Sequence, residues 1–142
     1  TMELKRWREK RRLDFALKPR GWPFDPTLAD CVALAMLARG EDPNVYLSNA
    51  FRAVFEKEIN LGEPANVAAV LRETGHHADV LVADAQSQPI RDAYAANNAA
   101  ALAAGVFGSP SYVLDGEVFW GQDRIGLLDE ALASGRAPYL AD

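Results

Sequence analysis

The stretch GVFGSPSYVLDGEVFWGQDR, residues 105–124, decides how the rest of this chain is interpreted. It places Gly-Ser-Pro before an apolar run, Asp-Gly in the middle of that run, and Gly-Gln-Asp-Arg after it. An Asp-Gly pair between apolar segments is typical of a two-residue β-hairpin, because both residues accept the positive φ of a type I′ turn. The spacing predicts a hairpin with Val113 opposite Val118 and Tyr112 opposite Phe119.

The two faces of this hairpin are both apolar, since the two predicted pairs point to opposite sides. A sheet that is apolar on both faces needs cover on both, as in α/β folds. A hairpin alone is marginal in water, and no other convincing strand is found in the sequence. We therefore expect the sheet to be incomplete within these residues. Its apolar surface, at Tyr112, Val113 and Val118, is expected to promote association.

Ser109-Pro110 precedes the first strand and is a candidate cis peptide. A bend there would turn the N–H and C=O groups of Ser109 outward, where an extended peptide could pair with them as an added strand. The alternative is that Pro110 only blocks the first hydrogen bond of the strand ladder.

The segment after the second strand, beginning with Gly121, predicts a helix that starts at Gln122 or Asp123. Its inward face would carry Ile125, Leu128 and Leu132. Free N–H groups at a helix start attract carboxylates. Asp123 could instead accept a hydrogen bond from an ammonium group, so an α-amino acid end would suit this loop. The alternative is that Asp123 only caps its own helix.

Most of the remaining chain has patterns typical of helices. Asp25-Pro26 and Asp42-Pro43 each combine an N-cap side chain with a proline that needs no hydrogen-bond partner. The alternation in LDFAL, residues 13–17, is a weak strand signal. The predicted helices cover residues 2–12, 25–40, a segment after residue 42, 64–75, a short segment around Val80, and 87–105.

The composition is that of a single globular domain: 142 residues, 49% hydrophobic and 25% charged. The apolar runs are too short for a membrane span, and the charged N-terminus does not resemble a secretory signal. Cys31 is the only cysteine, which excludes an internal disulfide and a Cys-x-x-Cys pair. A cytoplasmic setting is the expectation. The adjacent His76 and His77 do not form a metal-binding pattern, so no metal is expected.

The charge distribution is uneven. Residues 1–20 carry eight lysines or arginines and three acidic residues, and the net charge of the whole chain is −5. The remainder is therefore strongly acidic and would repel phosphates, so neither nucleic acid nor a membrane is an expected partner. No Ser-x-x-Lys motif, Gly-x-Ser-x-Gly elbow or phosphate-binding glycine loop is present.

Residues 105–124 closely resemble the C-terminal half of 2-hydroxychromene-2-carboxylate isomerases, relatives of kappa-class glutathione transferases in the DsbA-like branch of the thioredoxin superfamily. The stretches LKRWREKRRLDFALKPRGWPFDPTLADCVALAM and YAANNAAALAAGVFG are similar to family segments upstream, so the resemblance covers nearly the whole chain. It implies an α/β, DsbA-like thioredoxin fold with a helical insertion. The part seen here would be mostly helical, with a C-terminal β-hairpin and a final helix.

The resemblance also implies a domain organisation: a connecting helix and loop at 1–24, a helical insertion domain at 25–104, and a thioredoxin-like ββα portion at 105–142. Family members begin with a β-α-β unit whose Ser-Pro-Tyr-like motif supplies the catalytic serine. That motif does not occur in these residues, so the catalytic residue is unknown and this chain alone is expected to be inactive. A homodimer or a completing N-terminal segment is a possible partner.

The function implied is glutathione-dependent cis–trans isomerisation of hydroxychromene carboxylates or similar intermediates of aromatic compound catabolism. A kappa-like glutathione transferase and a non-catalytic thioredoxin-like binding module are the alternatives. By carry-over, Trp22 would contact the aromatic carboxylate substrate. The residues expected to bind the cofactor glutathione are Ser109, Pro110, Trp120, Gly121, Gln122 and Asp123.

Overall fold

The computed structural model describes residues 2–140 and is mostly helical, with one β-hairpin near the C-terminal end. None of the helices in this range is long and apolar enough to cross a membrane. The elements are α1 (Met2–Arg11), α2 (Thr27–Ala38), α3 (Asn44–Phe55), α4 (Pro64–Glu73), α5 (Ala78–Ala85), α6 (Gln88–Ala103), β1 (Ser111–Leu114), β2 (Glu117–Trp120), a 3₁₀ helix (Gln122–Arg124) and α7 (Ile125–Ser134).

The chain divides into two compact units, Thr1–Tyr94 (unit 1) and Ala95–Asp142 (unit 2), and α6 runs through the boundary between them. Each unit is described by itself. The helix-rich and hairpin-containing parts agree with the expected mostly helical DsbA-like fold. The predicted domain boundaries after residues 24 and 104 stay predictions.

Unit 1 has its core between α2, α3, α4 and α5, with the start of α6 added at Ile90. The predicted proline-led helix starts are present: the Asp25 carboxylate accepts the Thr27 N–H at 2.9 Å, and that of Asp42 accepts the Asn44 N–H at 3.0 Å. The Tyr46 hydroxyl donates to the Ala29 carbonyl at 3.0 Å, which satisfies the phenol inside the core. Its largest fully buried side chains are Val32, Met36, Tyr46, Val67, Leu71 and Leu81.

The strand expected weakly at residues 13–17 is not formed, and the segment is irregular. A strand needs a neighbouring strand for its backbone groups, and this segment uses other partners. The Ala16 N–H donates to the Phe55 carbonyl at the end of α3, and the Arg8 side chain donates to the Phe15 carbonyl at 3.1 Å. The alternation of Leu13, Phe15 and Leu17 therefore does not reflect a sheet.

Unit 2 contains the predicted hairpin in the predicted register. Val113 pairs with Val118 and Tyr112 with Phe119 in an antiparallel ladder. Asp115 and Gly116 have φ values of 49° and 88°, both positive, as a type I′ turn requires. Among residues 2–140 the sheet has only these two strands, and Val113 is 45% exposed. The expectation of an incomplete sheet is met for this part of the chain.

Helix α7 does not bury the face that the sequence predicts. Ile125 and Leu132 are 46% and 58% exposed, Leu128 is half-buried, and Ala131 is its buried residue. Helix α7 packs on β2, and a strip two strands wide is too narrow to cover a whole helix face. The prediction of Ile125 and Leu132 as inward residues is therefore wrong for the described residues.

The segment after α7 returns to the hairpin through Glu117. The guanidinium of Arg136 donates to both carboxylate oxygens of Glu117, at 2.7 and 2.9 Å, and the Tyr139 N–H donates to the same carboxylate at 2.9 Å. The Arg136 guanidinium also lies 4.1 Å from the centre of the Tyr139 ring. The hydrogen bonds from Arg136, followed by that from Tyr139, hold the pKa of Glu117 below its ordinary value despite its partial burial.

Replacing Glu117 by glutamine is expected to reduce the acid sensitivity of unit 2. Because the folded pKa of Glu117 is lowered, its carboxylate stabilises the fold at pH above its ordinary value of 4.5. That contribution is lost as pH falls through the lower, folded pKa. Thermal melts at a series of pH values from above 4.5 downward should show that the melting temperature falls on acidification. The fall should be smaller in Glu117→Gln than in the parent. Glu130→Gln, at an exposed carboxylate of α7, should behave like the parent. An equal acid response of parent and Glu117→Gln would contradict the prediction.

Candidate functional site

The base of the hairpin brings together the residues before β1 and the residues after β2, both of which belong to the stretch 105–124. The Gly121 N–H donates to the Pro110 carbonyl at 2.9 Å, one step beyond the Ser111–Trp120 pair. The Ser109–Pro110 peptide bond is cis, as the candidate motif suggested. The predicted site residues of unit 2 therefore converge at one end of the hairpin.

Ser109 offers unpaired backbone groups at this end. Ser109 is exposed, and within residues 2–140 neither its backbone N–H nor its backbone C=O has a hydrogen-bond partner. The Pro110 carbonyl accepts the hydrogen bond from the Gly121 N–H. An extended ligand backbone could pair with the free groups of Ser109 as an added strand does.

The loop after β2 presents two further backbone donors. The N–H of Arg124 is bound to the Gly121 carbonyl at 3.1 Å, whereas those of Gln122 and Asp123 find no acceptor in the described part of the chain. Gly121 has φ 104°, and a Cβ at this position would overlap the Asp123 carboxylate. Glycine is thus required for the tight turn that leads into these N–H groups.

Asp123 lies inside the 3₁₀ helix, and the hydrogen bond that its carboxylate accepts comes from the Arg124 side chain and not from a backbone N–H at a helix start. Its carboxylate contacts the Arg124 guanidinium at 2.9 Å, and both side chains are 51% exposed. An exposed pair of this kind contributes little to stability. The carboxylate is therefore accessible to a ligand ammonium, beside N–H groups that suit a ligand carboxylate.

Trp120 forms one wall of the site, together with two residues that the sequence interpretation did not single out. Its indole packs against the Phe107 ring at 5.1 Å between centroids. Gly108 lies directly under the indole, where an added Cβ would come within 2.9 Å of the Trp120 Cε2 atom. The Phe-Gly pair before Ser109 is the sequence signal for this contact, because glycine permits a close approach.

Trp22 belongs to unit 1 and lies in an aromatic cluster. Its indole meets the Phe24 ring edge-on at 5.3 Å and the Phe55 ring at 6.0 Å, and Trp22 is 51% exposed. An exposed indole backed by aromatic rings can stack against a flat ligand. Its predicted role as a substrate contact stays a prediction.

No metal-binding cluster is found in the described part of the chain, and the free cysteine Cys31 is buried. Residues 2–140 contain no cluster of three histidine, cysteine or acidic side chains that could hold a metal. Burial raises the pKa of the Cys31 thiol, and the neighbouring Asp30 carboxylate raises it further. The hairpin base thus offers backbone groups at Ser109, Gln122 and Asp123 and one exposed carboxylate, that of Asp123.

Comparisons with known proteins agree with the resemblance. The family model described as DSBA-like thioredoxin domain matches residues 1–133. A protein of Sphingobium xenophagum named 2-hydroxychromene-2-carboxylate isomerase is 26% identical over 131 residues, which cover 92% of this chain and 65% of that protein. The chain thus spans about two thirds of the length of the curated relative that it matches.

Proposed function

We propose a function from a premise that the comparisons establish: this chain belongs to the family of DSBA-like thioredoxin domains. Our proposal is that the hairpin base binds glutathione and serves the cis–trans isomerisation of a hydroxychromene carboxylate or a similar aromatic degradation intermediate. A relative with the name of such an isomerase supports the reaction class. The setting that we propose is cytoplasmic, where glutathione is kept as the free thiol.

One observation carries the proposal: the Pro110–Gly121 hydrogen bond places the Ser109 backbone next to the Gln122 and Asp123 loop. Glutathione is a short peptide whose γ-glutamyl end bears both an ammonium and a carboxylate. The free backbone groups of Ser109 fit its cysteinyl backbone. The Asp123 carboxylate fits the ammonium, and the N–H groups of Gln122 and Asp123 fit the carboxylate.

When bound, glutathione would supply a thiol whose thiolate form can add reversibly to a conjugated substrate. The role of the chain's own residues would be to bind and orient glutathione. Ser109 would fix the direction of the ligand backbone, and Asp123 would anchor the end remote from the sulfur. The half-exposed Trp120 ring, backed by Phe107, would close one side of the site. The serine that positions the thiol in the isomerase family has no counterpart assigned among these residues.

The function is tested by turnover of 2-hydroxychromene-2-carboxylate with the protein expressed from its complete reading frame. Isomerisation, followed by the change in substrate absorbance, is expected with glutathione and not without it. S-methylglutathione, which keeps the backbone and the γ-glutamyl end but blocks the sulfur, should compete without supporting turnover. Turnover at an equal rate without glutathione would overturn the proposal.

Product mass separates this reaction from conjugation by a kappa-like transferase. An isomerase leaves the mass of the substrate unchanged, whereas a transferase adds glutathione to it. Absence of both activities together with measurable glutathione binding would indicate a non-catalytic binding module. Either the added glutathione or binding without activity would replace the isomerase assignment.

A further inference from the structure

The connection between α6 and β1 contains the exposed Ser109, and few hydrogen bonds hold it in place. In the part of the chain that the structure describes, the last four residues of this connection form only two hydrogen bonds through their backbone. The Pro110 carbonyl accepts the Gly121 N–H at 2.9 Å, and the Gly108 carbonyl accepts the Ser111 hydroxyl at 2.6 Å. The carbonyls on either side of Ser109 are thus held, while its own backbone groups stay unpaired.

These two hydrogen bonds differ in the group that donates. The Gly121 N–H is a backbone group, so this bond does not depend on a side chain. The donor to the Gly108 carbonyl is a side chain, and serine hydroxyls commonly bond in this way to a carbonyl three residues earlier. The hold on the Gly108 carbonyl therefore depends on the identity of one residue, Ser111, which the sequence interpretation did not single out.

Trp120 contacts the same glycine from the other strand. Ser111 and Trp120 are paired across the hairpin, and the side chains of such a pair lie on the same face of the sheet. The indole lies so close to Gly108 that a Cβ added there would come within 3.1 Å of the indole Cδ1 atom. The Ser111 hydroxyl and the Trp120 ring thus both contact Gly108, the residue immediately before Ser109.

We propose that Ser111 is a positioning residue of the candidate site. Its hydroxyl holds the Gly108 carbonyl, so that the backbone of Ser109 keeps the orientation in which an extended ligand can pair with it. A backbone edge that is already ordered loses less conformational entropy when a ligand binds, which raises the affinity. This inference rests on the proposed function, because it assigns a role in the glutathione site to a residue that acts through the backbone and not by contact with the ligand.

Calorimetric titration of S-methylglutathione into the protein expressed from its complete reading frame tests the proposal. Ser111→Ala should weaken the binding by about twofold to tenfold, the factor that corresponds to loss of one hydrogen bond. Ser111→Thr keeps a hydroxyl at the same position and should restore the affinity of the parent. The sulfur of this ligand is methylated, so ionisation of a thiol does not contribute to the differences.

Hydrogen exchange of the Gly121 amide gives a second readout that needs no ligand. This N–H donates to the Pro110 carbonyl, so its exchange rate reports how often the segment around Ser109 opens. We expect exchange to be faster in Ser111→Ala by about twofold to tenfold, and to keep the parent rate in Ser111→Thr. A parent that does not bind S-methylglutathione would refute the proposed glutathione site, and the exchange rate would still show whether Ser111 holds this segment.

The matched control is Ser134→Ala. The Ser134 hydroxyl also donates to the carbonyl three residues earlier, that of Ala131 at 3.2 Å, but it lies at the end of α7 and outside the hairpin base. This variant should keep the affinity and the Gly121 exchange rate of the parent. Equal affinities in Ser111→Ala and Ser134→Ala would overturn the proposal. A loss of affinity in Ser111→Ala with unchanged exchange would also overturn it, because Ser111 would then contact the ligand directly.

Discussion

Asp123→Asn is expected to weaken glutathione binding by about 1.5–3 kcal/mol, or roughly tenfold to a hundredfold in the dissociation constant. Asparagine keeps the size of the side chain and removes the charge that would meet the γ-glutamyl ammonium. The carboxylate is half exposed and pairs with the equally exposed Arg124 side chain, so its removal should leave the folding stability nearly unchanged. Calorimetric titration of glutathione and a thermal melt of the same samples measure both quantities.

Asp129→Asn is the matched control for this experiment. It makes the same chemical change at an exposed aspartate of α7, outside the hairpin base. Its affinity for glutathione should equal that of the parent. Equal affinities in Asp123→Asn and Asp129→Asn would remove Asp123 from the site. A loss of stability with unchanged affinity would instead show that Asp123 has a structural role.

Leu81→Ala is expected to lower the free energy of unfolding by about 2–5 kcal/mol, the range for truncating a fully buried leucine. Leu81 is 1% exposed and is the large buried side chain of α5, which otherwise buries only Ala78 and Ala85. Helix α5 has eight residues and packs on both α2 and α4. A helix this short owes its stability to packing, so a cavity at Leu81 should loosen it. Urea unfolding followed by circular dichroism gives the difference.

Val80→Ala provides the comparison on the same helix. Val80 is the neighbouring residue, is 44% exposed, and loses a similar branched side chain on truncation. Its effect should stay within about 0.5 kcal/mol, as is usual for surface substitutions. If both variants unfold at the same urea concentration, Leu81 does not anchor α5.

The candidate site was predictable where it depends on neighbours in the chain. Asp115-Gly116 specified the turn, the turn specified the pairing, and the pairing places Pro110 opposite Gly121. The convergence of Ser109 with Asp123 follows from that register. The part that was missed is the contact of Gly108 with the Trp120 ring. Glycine in the sequence signals that a close approach is permitted, but the conformation of the Trp120 side chain decides which group makes it.

Two predictions were wrong, one of a strand and one of a buried helix face. In both cases the outcome depended on segments distant in the chain. The alternation at residues 13–17 resembles a strand, but its backbone bonds to Phe55 at the end of α3 instead. Ile125 and Leu132 have helical spacing, yet the two-stranded sheet of the described residues does not cover them. Periodicity shows which side chains share a face, and only the neighbouring elements decide whether that face is buried.

The amino-acid sequence by itself determined the turn type, the strand register and the helix starts led by Asp25-Pro26 and Asp42-Pro43. These features depend on sterics and hydrogen bonds between residues a few positions apart, so a short stretch specifies them. Only the tertiary structure decided that Phe51 stays exposed on α3 and that Leu81 is buried in α5, the helix that packs on α2 and α4. Those outcomes depend on packing between segments far apart in the chain, where shape and competing contacts select the partner.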